Sequence, residues 1–140
     1  MTPQKDSSPQ ILTQMQQSWN QAAQVWNPRG LAALYAEDAL FYGGRAGHSV
    51  GAAAIEDYFS SYDGVLRSAV LMLIEQEIVK INDDSFMAQG LGSFAFVLDD
   101  GRATKSVLRT TLVLVKLKSH WKIQLHHFSV TPTVPPLGDA

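Results

Sequence analysis

The spacing of apolar residues changes once along the chain and divides it into a helical half and a strand half. From residue 8 to about residue 26, apolar side chains recur every three or four residues, which is the period of an amphipathic helix. A serine–proline pair opens this segment and an asparagine–proline pair follows it, and proline fits the first turn of a helix. We therefore predict a helix over residues 8–26 and a second, short helix over residues 28–37.

A short strand and a third helix complete the first half. Residues 39–42, Ala-Leu-Phe-Tyr, have the composition of a strand and stop at two glycines. Apolar residues at helical spacing then continue over residues 50–62 and end at an aspartate–glycine pair. We predict a strand over the first of these segments and a helix over the second.

From residue 69 onward the sequence has the composition of β-strands. Four segments rich in Val, Ile, Leu, Thr and Phe are separated by three short, turn-forming segments. These connections are too short for crossover helices, so the strands should form an antiparallel meander. Because long strands twist and curl, we predict an α+β domain in which three N-terminal helices cover the concave face of a mainly antiparallel sheet. The predicted strands are residues 69–81, 85–98, 103–117 and 121–131.

Composition and charge limit the class of protein. The 140 residues are 46% apolar and 17% charged, which is typical of one globular domain. We place this domain at residues 8–132, between a disordered lead over residues 1–7 and a proline-rich tail over residues 133–140. The net charge of -2 leaves no basic surplus to neutralise phosphates, so we expect no nucleic-acid partner. No stretch approaches the ~20 apolar residues of a membrane helix, so we expect no membrane partner and a cytoplasmic protein.

The sequence lacks the residue patterns that hold cofactors or metals. Cysteine is absent, which excludes disulfides and thiolate ligands. There is no P-loop, dinucleotide fingerprint or metal-binding helix motif. His126 and His127 are adjacent, so in a strand they point to opposite faces and cannot bind one metal together. We therefore predict no metal site and no cofactor.

Two stretches carry a resemblance to a known family. The first reads LAALYAEDALF over residues 31–41 and is followed by a glycine loop and GAAAI over residues 51–55. The second reads RTTLVL over residues 109–114 and WKIQLHHFS over residues 121–129. Together they resemble the NTF2-like superfamily, and more narrowly its SnoaL-like and ketosteroid-isomerase-like branch. The second stretch is also similar to the association domain of calmodulin-dependent kinase. The resemblance implies a cone-shaped fold that encloses a small pocket.

The resemblance does not extend to the catalytic residues of ketosteroid isomerases. Their general-base Asp matches Gly43, their oxyanion-hole Tyr matches Trp19, and no carboxyl group stands at residues 109–111, where their second donor would lie. Moving a proton beside a carbonyl needs a base in reach and a donor to the developing enolate. We expect no isomerase activity of this type, and the sequence leaves open whether another reaction is catalysed.

We predict a ligand-binding pocket that contains a cation and a histidine. Arg109 shares a strand face with Thr111 and Val113, and the resemblance directs this face, together with that of His127, toward the helices. A guanidinium in an apolar pocket binds carboxylates well, so we predict a small anionic or carbonyl-bearing ligand. The predicted ligand-binding residues are Arg109, His127, Tyr42, Trp19, Tyr58 and Ser129.

Structural roles remain open for the same residues. Arg109 could instead pair with Glu75 or Glu77 on a neighbouring strand. His127 could be a neutral histidine that is hydrogen-bonded to Ser129, and the aromatic residues could belong to the core. The sequence does not choose between these roles and ligand binding.

Two functions are therefore retained, a small-molecule-binding pocket protein of unidentified ligand and, as the alternative, an oligomeric assembly module resembling the kinase association domain. Under either function we predict a homodimer, because the outer face of the sheet should also be apolar and need a partner. The residues predicted on that outer face are Met72, Ile74, Phe94, Phe96, Leu108, Leu112 and Leu114.

Overall fold

The helical layer contains three helices, as the sequence predicts. The computed structural model describes residues 6–140, so residues 1–5 of the predicted lead lie outside the described residues. The helices are α1 (Ser8–Ala23), α2 (Pro28–Ala32) and α3 (Ala52–Ser60). Within the described residues, none of them combines the length and the apolar character needed to cross a membrane.

Helix α1 packs through the apolar stripe that its spacing predicts. Leu12 and Trp19 are buried on this stripe, and the helix ends at Ala23 rather than at residue 26. The side chain of Asn27 then accepts a hydrogen bond of 3.0 Å from the backbone N–H of Gly30. This contact satisfies a free donor in the first turn of α2, which explains why the asparagine–proline pair starts a helix.

The second helix is shorter than predicted, because the chain turns into a strand. α2 ends at Ala32, and residues 35–37, which the sequence assigns to the end of this helix, belong to strand β1, Tyr35–Tyr42. β1 lies parallel to the last strand of the chain and pairs Tyr35 with Ile123. This long-range pairing, which no local pattern reveals, overrides the helical spacing of the segment.

Six strands form one sheet in the order β2-β1-β6-β5-β4-β3. The last four strands form the predicted antiparallel meander, and the parallel β1–β6 pair makes the sheet mainly antiparallel. The predicted α+β class is thus confirmed. The strands after β1 are β2 (Ser49–Val50), which the sequence did not predict, β3 (Leu66–Asn82), β4 (Ser85–Leu98), β5 (Ala103–Leu117) and β6 (His120–Ser129).

The face of β5 that meets the helices is the opposite of the predicted one. Leu112 and Leu114 are only 3% and 0% exposed, whereas Val107 and Arg109 are exposed. The leucines fill the space beneath the helices, and the guanidinium stays in water, where it needs no partner. Met72 lies on the outer face as predicted. Five residues predicted on the outer face lie on the inner face instead: Phe94, Phe96, Leu108, Leu112 and Leu114.

Side-chain amides of α1 cover the free edge of β3. The side chain of Asn20 accepts a hydrogen bond from the N–H of Leu71 at 2.7 Å and donates one to its carbonyl at 2.8 Å. One turn earlier, Gln16 accepts from the N–H of Leu73 at 2.7 Å. These contacts occupy backbone groups that an edge strand would otherwise offer to another chain. They also fix the position of α1 along the sheet.

Replacement of Asn20 by alanine tests this contact. Two backbone groups of Leu71 lose their partner, so the free energy of unfolding should fall by about 1–3 kcal/mol in urea denaturation. Gln17→Ala, at an exposed position of the same helix, is the matched control and should change stability by less than about 0.5 kcal/mol. Equal effects of the two substitutions would contradict the role of the amide.

Candidate functional site

A cavity of about 320 Å³ lies between the helices and the concave face of the sheet. Trp19 and Phe59 contribute from the helices, and their rings meet edge to face at 6.3 Å. Phe94 and Phe128 contribute from the sheet, with ring centres 5.1 Å apart. Two predicted ligand-binding residues, Trp19 and Tyr58, line this cavity. The full lining is Trp19, Trp26, Gly44, Tyr58, Phe59, Tyr62, Val65, Leu66, Phe94, Phe96, Leu98, Ser106, Leu108 and Phe128.

Two tyrosine hydroxyls provide polar groups at the rim of the cavity. The hydroxyl of Tyr58 accepts a hydrogen bond of 2.8 Å from the N–H of Gly44 and lies 3.4 Å from the hydroxyl of Tyr62. Burial, followed by the Tyr62 contact, raises the pKa of Tyr58 well above its usual range. Tyr58 is therefore a neutral hydroxyl at ordinary pH. The guanidinium of Arg45 lies over the Tyr62 ring at 4.3 Å, outside the apolar lining.

Tyr58 also occupies the space that a side chain at Gly43 would need. A Cβ atom added at Gly43 would overlap the hydroxyl of Tyr58 and the ring of Phe41. The position that the resemblance matches to the general base of isomerases is thus filled by an aromatic residue of α3. The structure gives a steric reason for the glycine that the sequence shows there.

A chain of three buried polar side chains runs behind the cavity wall. The indole N–H of Trp19 donates to the hydroxyl of Tyr35 at 3.3 Å, and that hydroxyl lies 2.8 Å from Nδ1 of His126. Because an indole N–H can only donate, the Tyr35 oxygen is its acceptor. The one proton of Tyr35 then goes to Nδ1, which places the histidine proton on Nε2. The other tautomer, with the proton on Nδ1, would leave both the Tyr35 proton and Nε2 unpaired. The hydrogen-bond network therefore assigns the proton of His126 to Nε2.

His126 is fully buried, and its second nitrogen has no partner. Nε2 makes no hydrogen bond within the described residues, although the residue is 0% exposed. Leaving a buried donor unpaired costs about 1–3 kcal/mol. Burial, followed by the charge of His127, lowers the pKa of His126 to about 3. The sequence did not single out Tyr35, and it favoured the other histidine of the pair.

A bulge in β6 explains why the two histidines exchange faces. Leu114 pairs with Ile123 and Val113 with Leu125, so Gln124 is an extra residue in the ladder. One extra residue inverts the alternation of side chains beyond it. The prediction that His127 faces the helices is therefore wrong. His126 points to the helices, and His127 is exposed on the outer face.

Three predicted ligand-binding residues meet in an open groove on that outer face. Arg109, His127 and Ser129 line a groove of about 600 Å³, together with Glu75 and Glu77. Arg109 and His127 lie close together, but the groove that they line faces away from the helices, not toward them as predicted. Within the described residues Arg109 makes no salt bridge with either glutamate, since the ion pairs there join Lys80 to Asp83 and Arg102 to Asp100.

Tyr42 lies beside His127 on the outer face rather than in the aromatic cavity. Its ring stacks on His48 with centres 4.3 Å apart and lies 5.4 Å from the ring of His127. Tyr42 and His127 are paired neighbours on β1 and β6. The six predicted residues therefore divide between two surfaces, with only Trp19 and Tyr58 on the inner one.

The fold and the inner cavity define a cone-shaped pocket domain with the NTF2-like fold. A comparison with protein families matches residues 12–133 to the SnoaL-like domain. The match covers most of the chain, so the protein belongs to the SnoaL-like family, and the resemblance found in the sequence is confirmed. A comparison with curated proteins found no match.

Solved structures share this fold at low sequence identity. The chain is similar to a candidate calcium/calmodulin-dependent protein kinase II association domain from Xanthomonas campestris, with a TM-score of 0.83 and 24% identity over 96% of this chain and 95% of that one. It is also similar to an NTF2-like superfamily protein from Salmonella enterica, with a TM-score of 0.74 and 20% identity over 93% and 96%. A candidate scytalone dehydratase from Novosphingobium aromaticivorans gives a TM-score of 0.74 and 16% identity over 94% of both chains. At these identities the similarity shows the fold alone.

Acid should destabilise the protein through His126. Its pKa is about 3 in the folded protein, against an ordinary value of 6.5. Below about pH 6.5 the unfolded chain therefore binds a proton that the folded protein excludes, and stability falls with pH by up to about 1.4 kcal/mol per unit. His126→Phe removes this proton, so its stability should fall less steeply between about pH 6.5 and 4. Identical slopes for variant and wild type, in urea denaturation at each pH, would contradict the assignment.

Proposed function

We propose that the protein binds a small, neutral, largely apolar molecule with planar or fused rings in the aromatic cavity. The observation that carries the proposal is a void of about 320 Å³ walled by aromatic rings from both layers of the fold. Small-molecule sites are mostly apolar and about 300–1,000 Å³ in volume, with a few polar groups that orient the ligand. A structure with this fold that is described as a candidate dehydratase also supports a small-molecule pocket.

The cavity favours an uncharged ligand. None of the described residues that line it carries a charge. An anion placed there would be buried without a counter-charge, which is strongly unfavourable. Arg109, on which the expectation of an anionic ligand rested, lies on the opposite face of the sheet. A carbonyl-bearing ligand remains compatible with the tyrosine hydroxyls at the rim.

Calorimetric titration with tetralin, an uncharged two-ring hydrocarbon, tests this proposal. We expect saturable binding of one molecule per chain, because the cavity removes the apolar rings from water. Ser106 lines the cavity, and the next residue, Val107, is exposed on the outer face. Ser106→Phe should fill the cavity and weaken binding by at least about tenfold, whereas Val107→Phe should leave it unchanged. A wild-type protein that does not bind tetralin would contradict the proposal.

We also infer that two copies of the chain pair through the outer face of the sheet. Six laterally paired residues, one on each strand, form an apolar row across this face. Val79 and Met87 within this row are 52% and 42% exposed. The helices cover the other face, so this row needs a separate cover. Its residues, in sheet order from β3 to β2, are Val79, Met87, Val113, Leu125, Leu40 and Val50.

The charges beside this row favour a second copy as the partner. Arg109 lies in the same groove as Glu75 and Glu77, with no ion pair to either in the described part of the chain. A two-fold axis brings the same patch of both copies together, so the arginine of each copy can meet a glutamate of the other. Opposite charges on one patch make that patch complementary to itself.

Sedimentation at micromolar concentration tests the pairing. We expect twice the chain mass of 15.4 kDa, and Met87→Glu should yield a monomer because it places a charge in the apolar row. Gln14→Glu, at an exposed position of α1, should leave the dimer intact. A monomeric wild type would contradict the inference, and a ring of many copies would favour the assembly module instead.

A further inference from the structure

We propose that the Nε2–H group of His126 donates a hydrogen bond to a carbonyl oxygen of the ligand that enters the aromatic cavity. The inference rests on the proposed function and makes it more specific, because it assigns a chemical group to the ligand. No charged group takes part, and the ligand remains a neutral ring system that carries a ketone or a related acceptor.

The hydrogen-bond chain behind the cavity fixes what His126 can offer. Trp19 donates to Tyr35 at 3.3 Å, and Tyr35 donates to Nδ1 of His126 at 2.8 Å. Nδ1 is therefore an acceptor that is already occupied, and Nε2 carries the remaining proton. This proton has no acceptor among the residues that the structure describes. His126 thus presents one free donor and no free acceptor, which selects a ligand that accepts.

The position of the ring connects this donor to the cavity. His126 contacts Phe128 with ring centres 5.1 Å apart, and Phe128 lines the cavity. Trp19, at the other end of the hydrogen-bond chain, lines it as well. His126 therefore packs against a residue of the cavity wall. A rotation of the Phe128 side chain, whose residue is 8% exposed, would bring His126 to the surface of the cavity.

The surroundings of His126 favour a ligand oxygen over a trapped water. The ring neighbours of His126 include Tyr35, Phe41 and Phe128, with centres 6.0, 5.6 and 5.1 Å away. A buried water needs two to four polar partners. Phe41 and Phe128 offer none, and the hydroxyl of Tyr35 is already bonded to Trp19 and to Nδ1 of His126. A carbonyl oxygen needs only the one donor, because the rest of the ligand is apolar and fits the aromatic wall.

Paired titrations with 1-tetralone and tetralin test the donor, because the two molecules share a two-ring skeleton and only the former has a carbonyl. We expect wild-type protein to bind the ketone about tenfold more tightly than the hydrocarbon. His126→Phe should abolish this preference and leave the affinity for tetralin unchanged, which also reports that the variant is folded. His127→Phe makes the same substitution at the adjacent histidine, which is exposed on the outer face of the sheet; it is the matched control and should retain the preference.

The outcomes separate this inference from the proposed function. Tetralin binding without a preference for the ketone would overturn the inference alone, as would a preference that survives in His126→Phe. Absence of binding of both molecules would overturn the proposed function and the inference together. Nitrogen-15 NMR of the wild-type protein needs no variant: the Nε2–H resonance of His126 should shift with 1-tetralone and stay in place with tetralin. The same shift with both molecules would overturn the assignment.

Discussion

The curvature of the sheet is the constraint on which the aromatic cavity and the outer groove both depend. β3 bulges at Glu75, whose backbone has a positive φ of 53°, and the bulge lies opposite Gly90 on β4. A side chain at Gly90 would collide with the backbone oxygen of Glu75, so only glycine lets the two strands approach there. A sheet bent in this way curves around the helices, and the aromatic cavity lies between the two layers.

Polar groups inside the cone are arranged so that few remain unpaired. The side chains of Asn20 and Gln16 form hydrogen bonds with the backbone of the edge strand. Trp19 donates to the hydroxyl of Tyr35, which in turn bonds to Nδ1 of His126. Within residues 6–140, two buried side-chain atoms lack a partner, Oε1 of Gln76 and Nε2 of His126. Buried polar groups are nearly always hydrogen-bonded, so the unpaired donor of His126 is unusual. An unpaired buried donor destabilises the free protein. If a ligand pairs with it, that penalty is removed, and the gain in free energy contributes to binding.

The sequence predicted those parts of the fold whose signals are local. β4 and β5 have the predicted bounds, Ser85–Leu98 and Ala103–Leu117, because turn residues mark both ends of each strand. The strand at Tyr35 was missed because it depends on pairing with β6, far away in the chain. The predicted faces of the β6 side chains are wrong beyond Gln124, because side chains alternate between the two faces only where the pairing of the strands is uninterrupted.

The candidate site was predictable only in its aromatic part. Large aromatic residues on a helical stripe or face, such as Trp19 and Tyr58, must lie inside any cone of this kind. The bond between Tyr35 and His126 joins residues 91 positions apart, and no spacing rule reaches that far. For Arg109 the sequence did contain a usable signal. A charged residue among apolar strand residues indicates the face that meets solvent, and it does so more reliably than the β-branched residues on the same face.

The inner and outer surfaces are not independent, because adjacent residues of the same strands supply them. On β6, His126 faces the helices and His127 the outer groove, and on β5, Ser106 lines the cavity while Val107 is exposed. A one-residue slip between these strands would move each side chain to the wrong face. The register set by the bulge at Gln124 therefore determines which β6 side chains lie on the inner face, toward the cavity, and which lie on the outer face, toward the groove.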